Sequence, residues 1–310
     1  MRVLWEKLTS EEATRVLEAA GLRLDGAVVV EPRDQRWLVR LPENRLAFFA
    51  ASEAGRGRLV RERRVLRLVR EHCSFEVPRV LLESDDGGLD VRAVVVGRVD
   101  PWPLYERVLH DSEFARRTGE AFGHLLAEQH RIPTEPLRDW LPQRPAWPES
   151  PSWILDRVRQ VVDERDLLVG IEECLTEYQA LNPSPQDRVL VHSDLGLHNS
   201  VFDPDTLEVR GVFDYDDAAW ADRHYDFRYL LFDIGSDDML DAALSVYQGD
   251  VGRQLSRARI ALYNAACACS FLAFRLGKAP EEDSCGRTLA EDLRWCRHAL
   301  ARYRDWSRGN

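Results

Sequence analysis

At 310 residues, 45% apolar and 31% charged, the chain is long enough for two unequal lobes with buried cores and too apolar for global disorder. A formal net charge of −11 argues against a nucleic-acid partner, which needs a basic face, while permitting a cationic substrate. Six scattered cysteines without a CxxC pair give no disulfide frame or cysteine zinc site and fit a reducing cytoplasm.

In chain order, MRVLWEKLTSEEATRVLEAAG carries acids early and has no continuous apolar run, so it is expected to be a helix capped by Ser10 and not a signal peptide. GAVVVEP, RWLVRLP and RLAFFAAS, separated by PRDQ and PEN, predict an antiparallel meander. Leu59, Leu66 and Val69 then recur at helical spacing among many charges, and VPRVLLES and VRAVVVGRV flank DDGG as a hairpin. Residues 1–99 therefore read as a small α+β lobe, an antiparallel sheet with a helix.

The period turns helical from EFARRTGEAFGHLLAEQH onward, and residues 100–310 read as a larger, mainly helical lobe. A Pro- and Trp-rich stretch over 132–153 predicts either a packed connector or a substrate-facing wall, and a helix is expected from about 153 to 181. IALYNAACACSFLAF is interrupted by Asn264 and Ser270 and is too short to span a bilayer, so no membrane partner is expected.

The chemistry gathers in VHSDLGLHNSVFD and RGVFDYDD. VLVHSD and GVFDYDD each read as a short strand ending at an acid, predicting that Asp194 and Asp214 leave neighbouring strand ends. Asn199, five residues after Asp194, can curl back toward Asp214, and such a pair of hard oxygens suits Mg²⁺.

His192, Asp194 and Asn199 match HxDxxxxN, Asp214 follows fifteen residues later behind Val212 and Phe213, and ADRHYDF comes next; together these resemble the aminoglycoside phosphotransferase and choline kinase family, relatives of the protein kinases. The resemblance implies a two-lobed protein-kinase-like fold and transfer of the γ-phosphoryl group of ATP, or another nucleoside triphosphate, to a hydroxylated small-molecule acceptor. It makes Asp194 the catalytic residue, with Asn199 and Asp214 on Mg²⁺, His192 and Asp226 as loop braces, and Asp216 or Asp217 near the metal. Ser193 stands where the family usually has Gly.

The family also uses a strand cation, paired with a helix glutamate, to hold the phosphates. Glu62 matches the glutamate, and the strand cation is Arg40 if RWLVRLP is the inner strand. If RLAFFAAS is, the position holds Phe48, Phe49 or Ala50; no Gly-rich loop is visible, and PRDQR occupies its place.

Two alternatives follow from the same residues: a catalytically weak or inactive kinase-like nucleotide-binding protein, or a metal-dependent hydrolase built on His192, Asp194 and His198 with His224 or Asp214. The acids Glu281, Glu282, Asp283, Glu291 and Asp292, near Trp295, read as an acceptor wall by resemblance or as a solvated helix face.

Overall fold

The computed structural model describes residues 4–24, 26, 28–97, 100–133, 135, 137–203, 205–232, 236–282 and 286–308. The chain begins with helix α1 (Ser10–Ala19), strands β1 (Val30–Arg33), β2 (Arg36–Leu41) and β3 (Arg45–Ala50), helix α2 (Glu53–His72), and strands β4 (Arg79–Glu83) and β5 (Leu89–Ala93). Helices α3 (Pro101–His110), α4 (Ser112–Gln129), α5 (Pro151–Val161) and α6 (Arg165–Ala180) follow. Then come strands β6 (Arg188–Val191), β7 (Ser200–Phe202), β8 (Val209–Val212) and β9 (Ala219–Asp222). Helices α7 (His224–Phe227), α8 (Tyr229–Phe232), α9 (Asp237–Val251), α10 (Arg257–Ala273) and α11 (Leu289–Arg308) close the chain.

Two compact units result. The first comprises residues 1–101, 139–141 and 197–218. Its antiparallel sheet has the order β1-β2-β3-β5-β4. Strand alternation sends Val39, Leu41, Ala47, Phe49, Leu89 and Val91 to one face, where they bury against Ala13 and Leu17 of α1. Each fully buried aliphatic side chain there contributes about 1.5–3 kcal/mol. Helix α2 packs on β3, β4 and β5. The cap of α1 is Thr9, not Ser10: its side chain accepts from the Glu12 N–H while Glu12 accepts from the Thr9 N–H, a reciprocal box that Ser10 could not make with Glu12.

Only Asp34 and Gln35 join β1 to β2, both at positive φ (42° and 64°), so the turn is as short as a hairpin permits. Gly55 keeps it seated: a Cβ there would lie 2.2 Å from the Gln35 carbonyl oxygen. The β7–β8 hairpin is part of this unit because Glu76 donates its N–H to the Arg210 carbonyl and accepts from the Val212 N–H, both at 2.9 Å. These contacts interrupt the simple division into 1–99 and 100–310 expected from sequence, since residues 197–218 fold with the first unit.

The second unit comprises residues 102–138, 142–196 and 219–310. Its centre is α10, whose run of Ala, Cys and Leu is buried among α5, α6 and α11; this is the apolar segment singled out in the sequence. Helices α4 and α9 pack closely because Gly119 and Gly123 have no side chain; a Cβ at either would stand 2.2 Å and 2.6 Å from the carbonyl oxygens of Met239 and Ala243. The helix expected over 153–181 is two helices, broken where Val162 turns extended (φ −113°, ψ 120°), so that α5 and α6 both reach α10. Residues Pro101–His110, at the start of the segment expected to be mainly helical, form α3. Trp147 stacks on Phe271 and Trp153 packs on Phe274, with ring centroids 5.1 and 4.8 Å apart, so these two rings are packed within the unit. No helix among the described residues is long and apolar enough to cross a membrane.

Candidate active site

In the first unit the β7–β8 hairpin pairs Ser200 with Val212, and the next rung is closed by Phe213 N–H donating to the Asn199 carbonyl at 3.0 Å. That register sets Asn199 beside the residue preceding Asp214. Asp214 itself is left-handed (φ 70°, ψ 55°), a conformation that costs a non-glycine residue about 1 kcal/mol or more and marks sites held for function. Burial, then the neighbouring carboxylates of Asp216 and Glu62, push Asp214 up to about 7 against the pull of Arg33 and Arg36. An amide oxygen and an incompletely neutralised carboxylate are the hard donors that Mg²⁺ takes, so these residues fit the ion. Among the described residues no cluster of three or more His, Cys, Asp or Glu is gathered for a metal.

Around Asp214 lies a buried, charge-balanced network. Arg36, Arg63 and Arg92 face Glu62, Asp90 and Asp216, all six of them buried. Arg36 bonds Asp216 at 2.6 Å and stands 3.7 Å from Glu62, while Arg92 reaches Glu62 at 2.7 Å and Asp90 at 2.9 Å. Arg58 adds an ion pair to Asp217 at 2.8 Å, and Arg33, half exposed at the end of β1, comes within 3.6 Å of Asp214.

Arg40 is not the partner of Glu62. Its guanidinium pairs with Glu31 on β1 at 3.0 Å, with 65% of the side chain exposed. Arg36 and Arg40 lie on one face of β2, but four residues of strand separate them by about 13 Å. The inner strand is β3: Phe48 stands opposite Leu38 and Asp90, and the Arg92 and Arg36 guanidiniums lie 4.6 and 6.0 Å from its ring centroid. An aromatic ring thus fills the strand position expected for a cation, and arginines from β2 and β5 meet Glu62 instead. Sequence reading missed Arg36 and Arg92; it had noted PRDQR, which contains Arg33 and Arg36.

The second unit carries Asp194 just beyond β6. Strand β6, ahead of Asp194, pairs with β9, whereas β8, ahead of Asp214, pairs with β7. Behind the Asp194 loop, Asp226 of α7 is 1% exposed and accepts the N–H groups of His192 and Ser193, each at 2.9 Å. It also takes Gln129 Nε2 at 3.1 Å and contacts His130 Nε2 at 3.3 Å. Burial alone would raise Asp226, but these donors hold it below the usual carboxylate range. The His192 ring accepts the Asp194 N–H on Nδ1 at 3.2 Å, so both residues act as loop braces.

Ser193 takes a left-handed φ of 75°, which explains why glycine would suit this position. His224 is committed elsewhere: Nδ1 meets Asp222 at 2.8 Å and Nε2 accepts from Ser256 N–H at 3.1 Å, which removes it from a zinc set with His192 and His198.

A family model described as the phosphotransferase enzyme family matches residues 19–262. The chain belongs to that family. It is 28% identical over 205 residues to an aminoglycoside 3'-phosphotransferase of Streptomyces fradiae, covering 64% of this chain and 69% of that protein. Its fold is similar to the GDP complex of wild-type aminoglycoside 2'-phosphotransferase-IIIa (TM-score 0.67, 16% identity, 98% and 100% of the two chains). It also matches the macrolide 2'-phosphotransferase MphH of Brachybacterium faecium (TM-score 0.64, 17% identity, 94% and 98%). The protein is therefore a phosphotransferase that acts on a hydroxyl group, with the protein-kinase-like α+β architecture.

This phosphotransferase departs from the expected acid-lined tail. Asp292 is 2% exposed and bound by Arg275 at 2.5 Å and Arg287 at 2.6 Å, so it is neither a solvated face nor an uncompensated acid. Glu291 accepts from the Thr288 N–H at 2.7 Å at the start of α11. Arg287 lies over Trp295, 4.6 Å from the ring centroid, placing a cation on the aromatic surface beside these acids. Glu281 and Glu282 are exposed; Asp283 lies outside the described residues.

Proposed function

We propose that the protein moves the γ-phosphoryl group of ATP, or another nucleoside triphosphate, to a hydroxyl of a small-molecule acceptor in the cytoplasm. The observation that supports this reading is the β7–β8 hairpin, which pairs the Asn199 backbone with Phe213, the residue before Asp214, a carboxylate left incompletely neutralised among arginines. Bound there, Mg²⁺ would neutralise charge on the nucleotide phosphates. Arg33, exposed and 3.6 Å from Asp214, is the phosphate contact; buried Arg36 holds Glu62 and Asp216 in place and takes the structural share of the strand cation. Asp194 accepts the proton of the acceptor hydroxyl, on a loop whose backbone is fixed by Asp226.

Calorimetric titration with ATP, with and without Mg²⁺, and a phosphotransfer screen over kanamycin, macrolides and uncharged sugars test this. Mg²⁺-dependent nucleotide binding together with one phosphorylated acceptor is the expected result. Phe48 on β3 and the two-residue β1–β2 turn favour a second reading, a weakly catalytic nucleotide-binding protein. Nucleotide binding indifferent to Mg²⁺, with no acceptor turned over, would select it.

A further inference from the structure

The family's reaction explains an aspartate at position 194 but not what holds its carboxylate. The Tyr229 hydroxyl donates a hydrogen bond to Asp194 Oδ1. Tyr229 is only 7% exposed and is fixed from behind. The Arg228 guanidinium lies 4.3 Å from the ring centroids of both Tyr225 and Tyr229. Its Nη2 donates to the Ser193 carbonyl at 2.8 Å and to the Tyr225 hydroxyl at 2.9 Å. Tyr225 in turn donates to the Trp147 carbonyl at 2.7 Å, and Asn264 Nδ2 donates to the Arg228 carbonyl at 3.4 Å. One arginine thus ties the backbone beside Asp194 to the ring that bonds its side chain.

We propose that Tyr229 is a positioning residue for phosphoryl transfer: its hydroxyl fixes the orientation of the Asp194 carboxylate, and Arg228 fixes Tyr229. This rests on the reading of Asp194 as the proton acceptor. A carboxylate free to rotate about two bonds spends most of its time with neither oxygen aimed at the acceptor, whereas one anchored through Oδ1 presents the same geometry at every encounter. The donated hydrogen bond also favours the ionised carboxylate, the form that accepts a proton. The titratable and charged groups around Asp194 include Tyr229 on α8, His192 on its own loop, Arg228 and Tyr225 behind the tyrosine, and Asp226 with His130, which caps the end of α4, beneath the loop.

Tyr229→Phe keeps the ring and removes the hydroxyl. Hydrolysis of MgATP, with water as acceptor, reads the effect without knowledge of the natural substrate. We expect kcat to fall about tenfold, with KM for MgATP within about twofold of wild type. In aspartate-labelled protein, the Asp194 Cγ resonance, assigned as the one lost in Asp194→Asn, is expected to titrate at higher pH in Tyr229→Phe than in wild type, with the Asp226 resonance unmoved. An unchanged kcat or an unchanged Asp194 midpoint overturns the role of Tyr229 alone, provided Asp194→Asn is inactive. Full turnover by Asp194→Asn, or no turnover of MgATP by the wild type, overturns the reading of Asp194 and the inference with it.

Discussion

Asp214 in the first unit and Asp226 in the second are both conspicuous carboxylates of the same sequence region, yet their surroundings treat them in opposite ways. Asp226 is enclosed by donors, two backbone and two side-chain, and is held ionised. Asp214 lies among Asp216 and Glu62, whose own arginines are already engaged, and is pushed up to about 7 by burial and by those neighbours. A fully satisfied buried carboxylate stabilises the fold; an incompletely satisfied one stores unfavourable charge that a cation relieves. Chemical type alone would have ranked the two alike.

The largest expected effect separates the loop from the residue it carries. Asp194→Asn should lower kcat for phosphoryl transfer by 10²–10⁴-fold, approximately the value of a positioned general base, while calorimetry finds ATP affinity within about twofold of wild type. Asp226→Ala should act on the fold instead. It strands several buried donors and is expected to cost about 3–5 kcal/mol in thermal or denaturant unfolding. Asp214→Asn in metal-free protein should go the other way and raise the melting temperature, because it removes a carboxylate that the folded state holds at a disadvantage. A fall in melting temperature on Asp214→Asn would break the contrast.

A smaller effect distinguishes two arginines of the sheet. Arg33→Ala is expected to weaken Mg²⁺-dependent ATP binding about tenfold without loss of stability, since the side chain is half exposed, whereas Arg40→Ala should leave binding within about twofold. Equal losses from both would return Arg40 to the site.

The ease of reading these residues followed their dependence on local pattern. The meander, the α2 stripe and the DDGG hairpin were legible because turn residues and side-chain periodicity fix them within a few positions. Asp194, Asn199 and Asp214 were legible as a spaced motif. The cation facing Glu62 was not, because Arg36 and Arg40 share one strand face and the same residue type. Only the pairing of Leu38 with Phe48, and an ion pair to Asp216 across 180 residues of chain, tells them apart. Asp292 was misread for a similar reason: Arg275, seventeen residues away, buries and neutralises it.

Acid should weaken the loop brace before it reaches the carboxylates. Burial holds His130 below the ordinary histidine value, despite the opposing pull of Asp226. Its ring fits a neutral tautomer, with Nε2 toward Asp226 and Nδ1 accepting from the Tyr247 hydroxyl at 2.9 Å. A base whose folded pKa is depressed is protonated first in the unfolded chain, so stability falls as pH drops below about 6.5. Asp226, depressed as an acid, adds its own loss only as pH falls below about 4 and toward its folded pKa. His130→Gln should remove the first of these two phases in a series of melting curves and leave the second.

The smallest change tests whether the Asp194 loop is held through its backbone alone. Ser193 contributes its N–H to Asp226 and its carbonyl to Arg228, both main-chain groups that any residue supplies. Its side-chain hydroxyl is buried and has no hydrogen-bond partner among the described residues, and its φ of 75° lies where an L-residue is crowded by its own Cβ. Ser193→Gly relieves the crowding, about 1–2 kcal/mol, and removes a buried polar group, against roughly 0.5–1 kcal/mol of added freedom in the unfolded chain. The net expectation is a gain of about 1 kcal/mol in unfolding free energy, with kcat unchanged within about twofold because the backbone donors stay in place. A loss of stability, or a large fall in kcat, would mean that the hydroxyl takes part in holding the loop, and the brace would then extend beyond Asp226 and Arg228.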